Sequence, residues 1–180
     1  AAGQSKVHVL SANESALGPS PKAIEAFRQV GTHLHRYPDG GATELRTALG
    51  KRWGLDPARL ICGAGSDELI SLIAHTYAGP GDEVLYSQYG FLMYPIAARA
   101  SGATPVAAHE KNLTADITAL LAHVTDRTRI VFLANPNNPT GSYLSAETVR
   151  DFRNRLRSDI LLVIDAAYAE YVDANNSSAG

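Results

Sequence analysis

The sequence predicts a layered α/β fold, a mostly parallel sheet carrying helices, preceded by an N-terminal arm. Two observations predict it. Short apolar runs alternate with segments of helical periodicity from Arg59 onward, and Ile160–Ile164 (ILLVI) is apolar on both faces, as interior strands are. Five strands separated by helices imply helices layered on a sheet.

The arm comes first. Residues 1–41 are punctuated by Gly18-Pro19-Ser20-Pro21, Gly31 and Pro38-Asp39-Gly40-Gly41, which leaves one short helical stretch over Lys22–Val30. From Thr43, the residues Leu45, Leu49 and Trp53 recur at helical spacing until Gly54, so a helix leads into the main domain, 42–180. The strands expected there are Arg59–Cys62, Glu83–Tyr86, Thr104–Ala108, Arg129–Ala134 and Ile160–Ile164. The helices between and after them are expected over Glu68–Tyr77, Phe91–Ala100, Ala115–Ala122 and Ala146–Leu156.

Composition narrows the function classes. The 16 basic and 18 acidic residues leave a net charge of -2, which gives no electrostatic basis for binding nucleic acid or an anionic membrane and points to a small-molecule partner. No apolar run approaches the roughly 18 residues of a membrane span, and the opening AAGQSKVHV lacks the pattern of a secretory signal. Cys62 is the only cysteine, which fits a reducing, cytoplasmic compartment. Of the six histidines only His33 and His35 are close, with no third ligand beside them, so no metal site is expected. The chain starts at Ala1, has Met93 as its only methionine and ends on the polar run Asn175–Gly180, so both ends read as cuts in something longer.

Open α/β sheets bind ligands at the carboxyl ends of their strands, and three such junctions stand out. In Cys62-Gly63-Ala64-Gly65-Ser66-Asp67-Glu68 the chain passes through two glycines into a helix whose opening amides suit a phosphate. The same residues also serve an ordinary strand-to-helix turn, with Ser66 as N-cap. The string has neither the Gly-Lys-Ser/Thr of a nucleotide-binding loop nor the third glycine of the dinucleotide fingerprint. In Asn135-Pro136-Asn137-Asn138-Pro139-Thr140-Gly141 two prolines stiffen the backbone and restrict the asparagines before them, more than a simple turn requires. In Asp165-Ala166-Ala167-Tyr168 a carboxylate stands at a strand tip with a phenol three residues on; the carboxylate is either paired or caps the next segment.

Taken together and in this order, Gly65-Ser66-Asp67, Asn138 and Asp165 with Tyr168 resemble the cofactor site of fold-type-I pyridoxal-phosphate aminotransferases. Within that superfamily the strings LSANESALGPSPKA, HRYPDGGATELRTAL and GSDELI are similar to those of the histidinol-phosphate aminotransferase family, over about Val9–Val172. The resemblance implies the three-layer large domain of that fold, an N-terminal arm and a C-terminal small domain that is missing here. It also implies pyridoxal 5'-phosphate as cofactor, and transamination of L-histidinol phosphate with 2-oxoglutarate in histidine biosynthesis as the parent's reaction.

Residue by residue, the resemblance implies that Asp165 pairs with the pyridine nitrogen and keeps it protonated. Asn138 and Tyr168 donate to the ring's phenolic oxygen, and Gly65, Ser66 and Asp67 bind the phosphate, with the Asp67 carboxylate turned away. Phe91 stacks on the ring, with Tyr89 as second choice, and Tyr37 reaches the partner's site across a homodimer. Asn13 and Gly18 fall in the arm near the substrate, where a flexible turn accounts for them equally. The lysine that carries the cofactor covalently is absent, since Lys6, Lys22, Lys51 and Lys111 all precede Asp165. The chain by itself is therefore expected to be inactive. An aromatic-amino-acid aminotransferase, a phosphothreonine decarboxylase or a non-catalytic α/β binding module remain open as alternatives.

Overall fold

The computed structural model describes residues 11–172; Lys6, the start of the Val9–Val172 stretch and the Asn175–Gly180 tail lie outside them. By its contacts the chain divides into two units, 1–60 and 61–180, so the helix that the sequence attaches to 42–180 falls with the arm.

The first unit holds α1 (Pro21–Val30) and α2 (Thr43–Trp53). Ser20 starts α1, its Oγ accepting from the Ala23 amide at 3.1 Å with Pro21 at the first helical position. None of the α1 residues is buried. Before α2, Ala42 takes a left-handed conformation and offers no side-chain cap, so the capping falls to Asp39. The Asp39 carboxylate accepts from the amides of Gly41 at 2.9 Å and Thr43 at 2.8 Å. Hydrogen bonding from the Thr43 side chain, then from these two amides, holds the Asp39 carboxyl below its ordinary range. Gly54 ends α2 at φ 68°, a conformation that costs glycine nothing, and its amide returns to the Gly50 carbonyl.

The second unit runs α3 (Gly65–Tyr77), β1 (Glu83–Ser87), α4 (Met93–Ala100), β2 (Thr104–Ala108), a two-residue hairpin β3 (Glu110–Lys111) and β4 (Thr114–Ala115), α5 (Ile117–Ala122), β5 (Thr128–Ala134), α6 (Ala146–Arg155) and β6 (Leu161–Asp165). The main sheet is parallel throughout, in the order β2-β1-β5-β6. Strand residues alternate between its faces. Val84, Ile130 and Phe132 point to one side and pack with Ile70 and Ala74 of α3 and Tyr94, Ala97 and Ala98 of α4. Leu85, Val131 and Leu133 point to the other and pack with Leu120 of α5 and Val149 and Phe152 of α6. The result is three layers, helices on either face of a parallel sheet, as the sequence predicts.

Two expectations are corrected. Arg59–Cys62 is not a strand: Pro57–Arg59 is a 3-10 turn, and residues 60–63 pair with no strand among the described residues. Ile61 is 79% exposed, so the apolar run has no sheet face to bury against. Four residues of the run ILLVI enter β6, but among the described residues β6 pairs with β5 alone and so stands at the edge of the sheet, all five of its residues half-buried. Uniform apolarity marks contact on both faces and says nothing about whether the strand has one neighbour or two.

The start of α6 offers a clean stability test. Ser145 caps it, its Oγ accepting from the Thr148 amide at 3.2 Å. Ser145→Ala is expected to cost about 1 kcal/mol in urea unfolding, while Ser145→Asp, which retains an acceptor, should cost less.

Candidate functional site

The order β2-β1-β5-β6 places the chain's reversal between β1 and β5: from β1 the chain goes outward to β2, then returns to β5 and continues to β6. Loops leaving the carboxyl ends of β1 and β5 therefore diverge, and the crevice between them is where open parallel sheets take ligands. A cleft with about 310 Å³ of empty space opens at these strand ends.

Each expected junction sends residues into it. The start of α3 contributes Ser66, and the segment after β1 contributes Phe91. The end of β5 brings Ala134, Pro136 and Asn138; the end of β6 brings Asp165, Ala167 and Tyr168. Ser66, Phe91, Asn138, Asp165 and Tyr168 thus meet in one place, although the first and last are about a hundred residues apart in the chain. Gly65 and Asp67 flank Ser66 without lining the cleft; Asp67 is exposed, on the first turn of α3. Tyr89 is 45% exposed and does not line the cleft, which favours Phe91 of the two aromatics. Tyr37, Asn13 and Gly18 belong to the first unit; Tyr37 is fully exposed, and Asn13 and Gly18 both have positive φ. None of the described lysines lines the cleft: Lys22 and Lys51 lie in the first unit, and Lys111 is in β3.

The opening of α3 differs from the capping alternative. The helix begins at Gly65, with φ 78°, so Ser66 is its second residue and not its N-cap. Ala64 holds the cap position without a side-chain bond of its own, and Glu68 folds back to accept from the Ala64 amide at 2.5 Å. A Cβ at Gly63 would come within 2.9 Å of that Glu68 carboxylate and 3.1 Å of the Leu69 side chain, so a larger residue there would have to push the glutamate aside. The helix's partial positive charge remains at the Gly65-Ser66-Asp67 end, beside the cleft.

After β5 the three asparagines divide their work. Asn135 and Asn137 are buried, at 2% and 6% exposure. The Asn135 amide group donates to the Leu144 carbonyl at 2.9 Å and its oxygen accepts from the Leu144 amide at 2.8 Å, tying the returning loop to the strand end. Asn137 Nδ2 donates to the Tyr89 carbonyl at 3.1 Å and to Thr140 Oγ1 at 2.8 Å, joining the segments after β1 and β5. Asn138 alone of the three lines the cleft. The peptide bonds Asn135–Pro136 and Asn138–Pro139 are both cis, where the sequence suggested only that the asparagines are restricted.

Asp165 both caps and pairs. Its Oδ1 accepts from the Ala167 amide at 3.2 Å, and its Oδ2 accepts from the hydroxyl of Tyr94 at 2.8 Å. Tyr94 escaped the sequence reading: it sits inside an apolar helical stretch, and only the phenol oxygen, useless to a core, could have flagged it. Burial, then the Asp165 charge, then the hydrogen bond to it push the Tyr94 phenol well above the usual tyrosine range. It stays un-ionised when folded, so above about pH 10, where an unfolded tyrosine loses its proton, the folded chain retains one more proton than the unfolded. Stability is therefore expected to be insensitive to this group below that pH and to fall above it. Tyr94→Phe should flatten that alkaline limb of a pH-dependent urea titration.

This three-layer parallel α/β architecture is that of an aminotransferase fold. The chain belongs to the aminotransferase class I and II family, whose pattern matches residues 5–179. It is 63% identical, over 100% of this chain and 50% of the relative, to a histidinol-phosphate aminotransferase of Rhodospirillum centenum. It is 62% identical, over 99% of this chain and 49% of the relative, to that of Paramagnetospirillum magneticum. Among solved structures it is similar to the histidinol-phosphate aminotransferase from Sinorhizobium meliloti in complex with pyridoxal-5'-phosphate, with TM-score 0.88 and 33% identity over 92% of this chain and 46% of that one. The chain spans about half the length of the curated relatives it matches.

Proposed function

We propose that this chain is the cofactor-holding part of a pyridoxal-phosphate-dependent enzyme that transfers an amino group between L-histidinol phosphate and 2-oxoglutarate. The observation that carries the reading is the convergence of Ser66, Phe91, Asn138, Asp165 and Tyr168 on one cleft. The identity to histidinol-phosphate aminotransferases along the whole chain supports the choice of substrate.

The donor set fits such a cofactor. It offers a carboxylate for a basic ring nitrogen, an amide and a phenol for an ionised phenolic oxygen, an aromatic wall, and a helix N-terminus for a phosphate. When bound, the cofactor's ring supplies an electron sink for the pair left behind as the substrate's α-hydrogen departs. Asp165 holds the proton on the ring nitrogen, since a carboxylate beside a cationic acid raises its pKa. Asn138 and Tyr168 donate to the phenolic oxygen and favour its ionised form. The amides of Gly65, Ser66 and Asp67 hold the phosphate, and Phe91 packs on the ring. Tyr37 reaches the site of a second copy in a homodimer. In this reading the parallel α/β unit is part of a large domain, the enzyme works in the cytoplasm, and the lysine that bonds the cofactor and the substrate-binding small domain belong to the remainder of the full-length protein.

The test is a substrate comparison on the purified full-length protein. L-Histidinol phosphate with 2-oxoglutarate is expected to turn over with a higher kcat/KM than phenylalanine or tyrosine as amino donor. A preference for the aromatic amino acids would overturn the assignment. The 180-residue chain by itself is expected to show no turnover with either.

A further inference from the structure

We infer that Tyr94 is a positioning residue for Asp165: its buried hydroxyl fixes the carboxylate that carries the cofactor's ring nitrogen, and its ring braces the aromatic wall of the same site. This rests on the proposed pyridoxal-phosphate reading. The hydroxyl and the carboxylate lie 71 residues apart in the chain and 2.8 Å apart in space.

Tyr94 is completely buried. Its ring lies parallel on Phe132, with centroids 4.8 Å apart and planes 1° apart. It meets Phe91 edge-on at 6.0 Å and Tyr86 at 6.4 Å. A ring held on three sides cannot swing without displacing its neighbours, because interiors are packed to the density of organic crystals. The hydroxyl therefore points in one fixed direction, and Asp165 Oδ2 stands there.

The carboxylate depends on that donor. Its other oxygen, Oδ1, accepts a longer bond, from the Ala167 amide at 3.2 Å. The torsion that turns a carboxylate is broad and only weakly quantised, so one long bond sets its plane poorly and two bonds to different oxygens set it well. The period-two alternation of β6 explains why the pairing occurs: Val163 and Asp165 share the face that carries α3 and α4, and Tyr94 comes from α4. Phe91, which lines the cleft, leans on the same Tyr94 ring one helical turn away. A ring needed only for packing would do as well without its oxygen, and that difference is measurable.

The experiment uses the full-length protein and pyridoxal phosphate labelled with 15N in the ring. Tyr94→Phe keeps the ring and removes the hydroxyl. It is expected to weaken cofactor binding roughly 10-fold, the scale of one lost hydrogen bond to a charged group, and to move the 15N signal toward that of an unprotonated ring nitrogen. Asp165→Asn is the reference. If it changes neither binding nor the 15N signal, the pyridoxal-phosphate reading fails and the role of Tyr94 with it. If Asp165→Asn changes both and Tyr94→Phe changes neither, the pyridoxal-phosphate reading stands and the positioning role of Tyr94 is overturned. Should Tyr94→Phe not fold, Phe132→Leu loosens the stack while keeping the hydroxyl; it is expected to shift the 15N signal in the same direction, and an unmoved signal would overturn the inference.

Discussion

Asp165→Ala in the full-length protein is expected to reduce kcat/KM for L-histidinol phosphate by at least about 100-fold, the scale of removing a preorganised electrostatic group from a reaction centre. The loss should appear mainly in kcat, because in the proposed reading Asp165, at the end of β6 and lining the cleft, serves the cofactor's ring and not the distal part of a substrate. Two costs combine. On the proposed reading the ring nitrogen loses the carboxylate that would keep its proton, and the Tyr94 hydroxyl, completely buried, loses the oxygen it donates to at 2.8 Å. Asp165→Glu retains the charge but lengthens the side chain, and a hydroxyl fixed by three aromatic neighbours cannot follow it. Partial recovery in the glutamate variant is expected, well short of wild type. Steady-state kinetics on the three proteins at saturating cofactor provide the check; full activity in the alanine variant would remove Asp165 from the site.

Phe132→Ala is expected to cost about 3–5 kcal/mol of stability, because it empties a large, fully buried ring position. Against the roughly 5–15 kcal/mol that holds a typical domain together, that loss leaves little margin. Phe132 lies in β5, an interior strand of the sheet, and carries the stacked face of Tyr94. Its removal should therefore also weaken cofactor binding at temperatures where the protein is still folded. Leu92→Ala makes the contrast: Leu92 is 69% exposed, and its truncation should change stability by less than about 0.5 kcal/mol. Urea unfolding of the three proteins, with and without cofactor, separates the two effects. A Phe132→Ala variant as stable as wild type would mean that the α3/α4 side of the sheet contributes little to stability.

Much of this was legible in the residues. Apolar spacing located the helices, with α1 and α6 within a residue of the expected bounds and α4 beginning two residues late, at Met93. Spacing failed at Arg59–Cys62, where a run that reads as a strand has no neighbour to pair with, since a strand is defined by a partner and not by its own composition. It also failed to distinguish an edge from an interior position for ILLVI. In NPNNPTG the sequence showed stiffness, but loop geometry decided that Asn135 and Asn137 secure the backbone while Asn138 faces the cleft.

By itself, the sequence determined the α/β alternation, the glycine turn into α3 and the junctions after β5 and β6, because periodicity and turn chemistry act over a few residues. Tertiary structure alone decided which of those residues meet. Sheet order brought β1, β5 and β6 side by side, with their carboxyl ends on one crevice. Alternation along β6 turned Asp165 toward α4, where a tyrosine that reads as ordinary core supplies its hydrogen bond. Contacts across 71 residues depend on how the layers stack, and no local pattern encodes them.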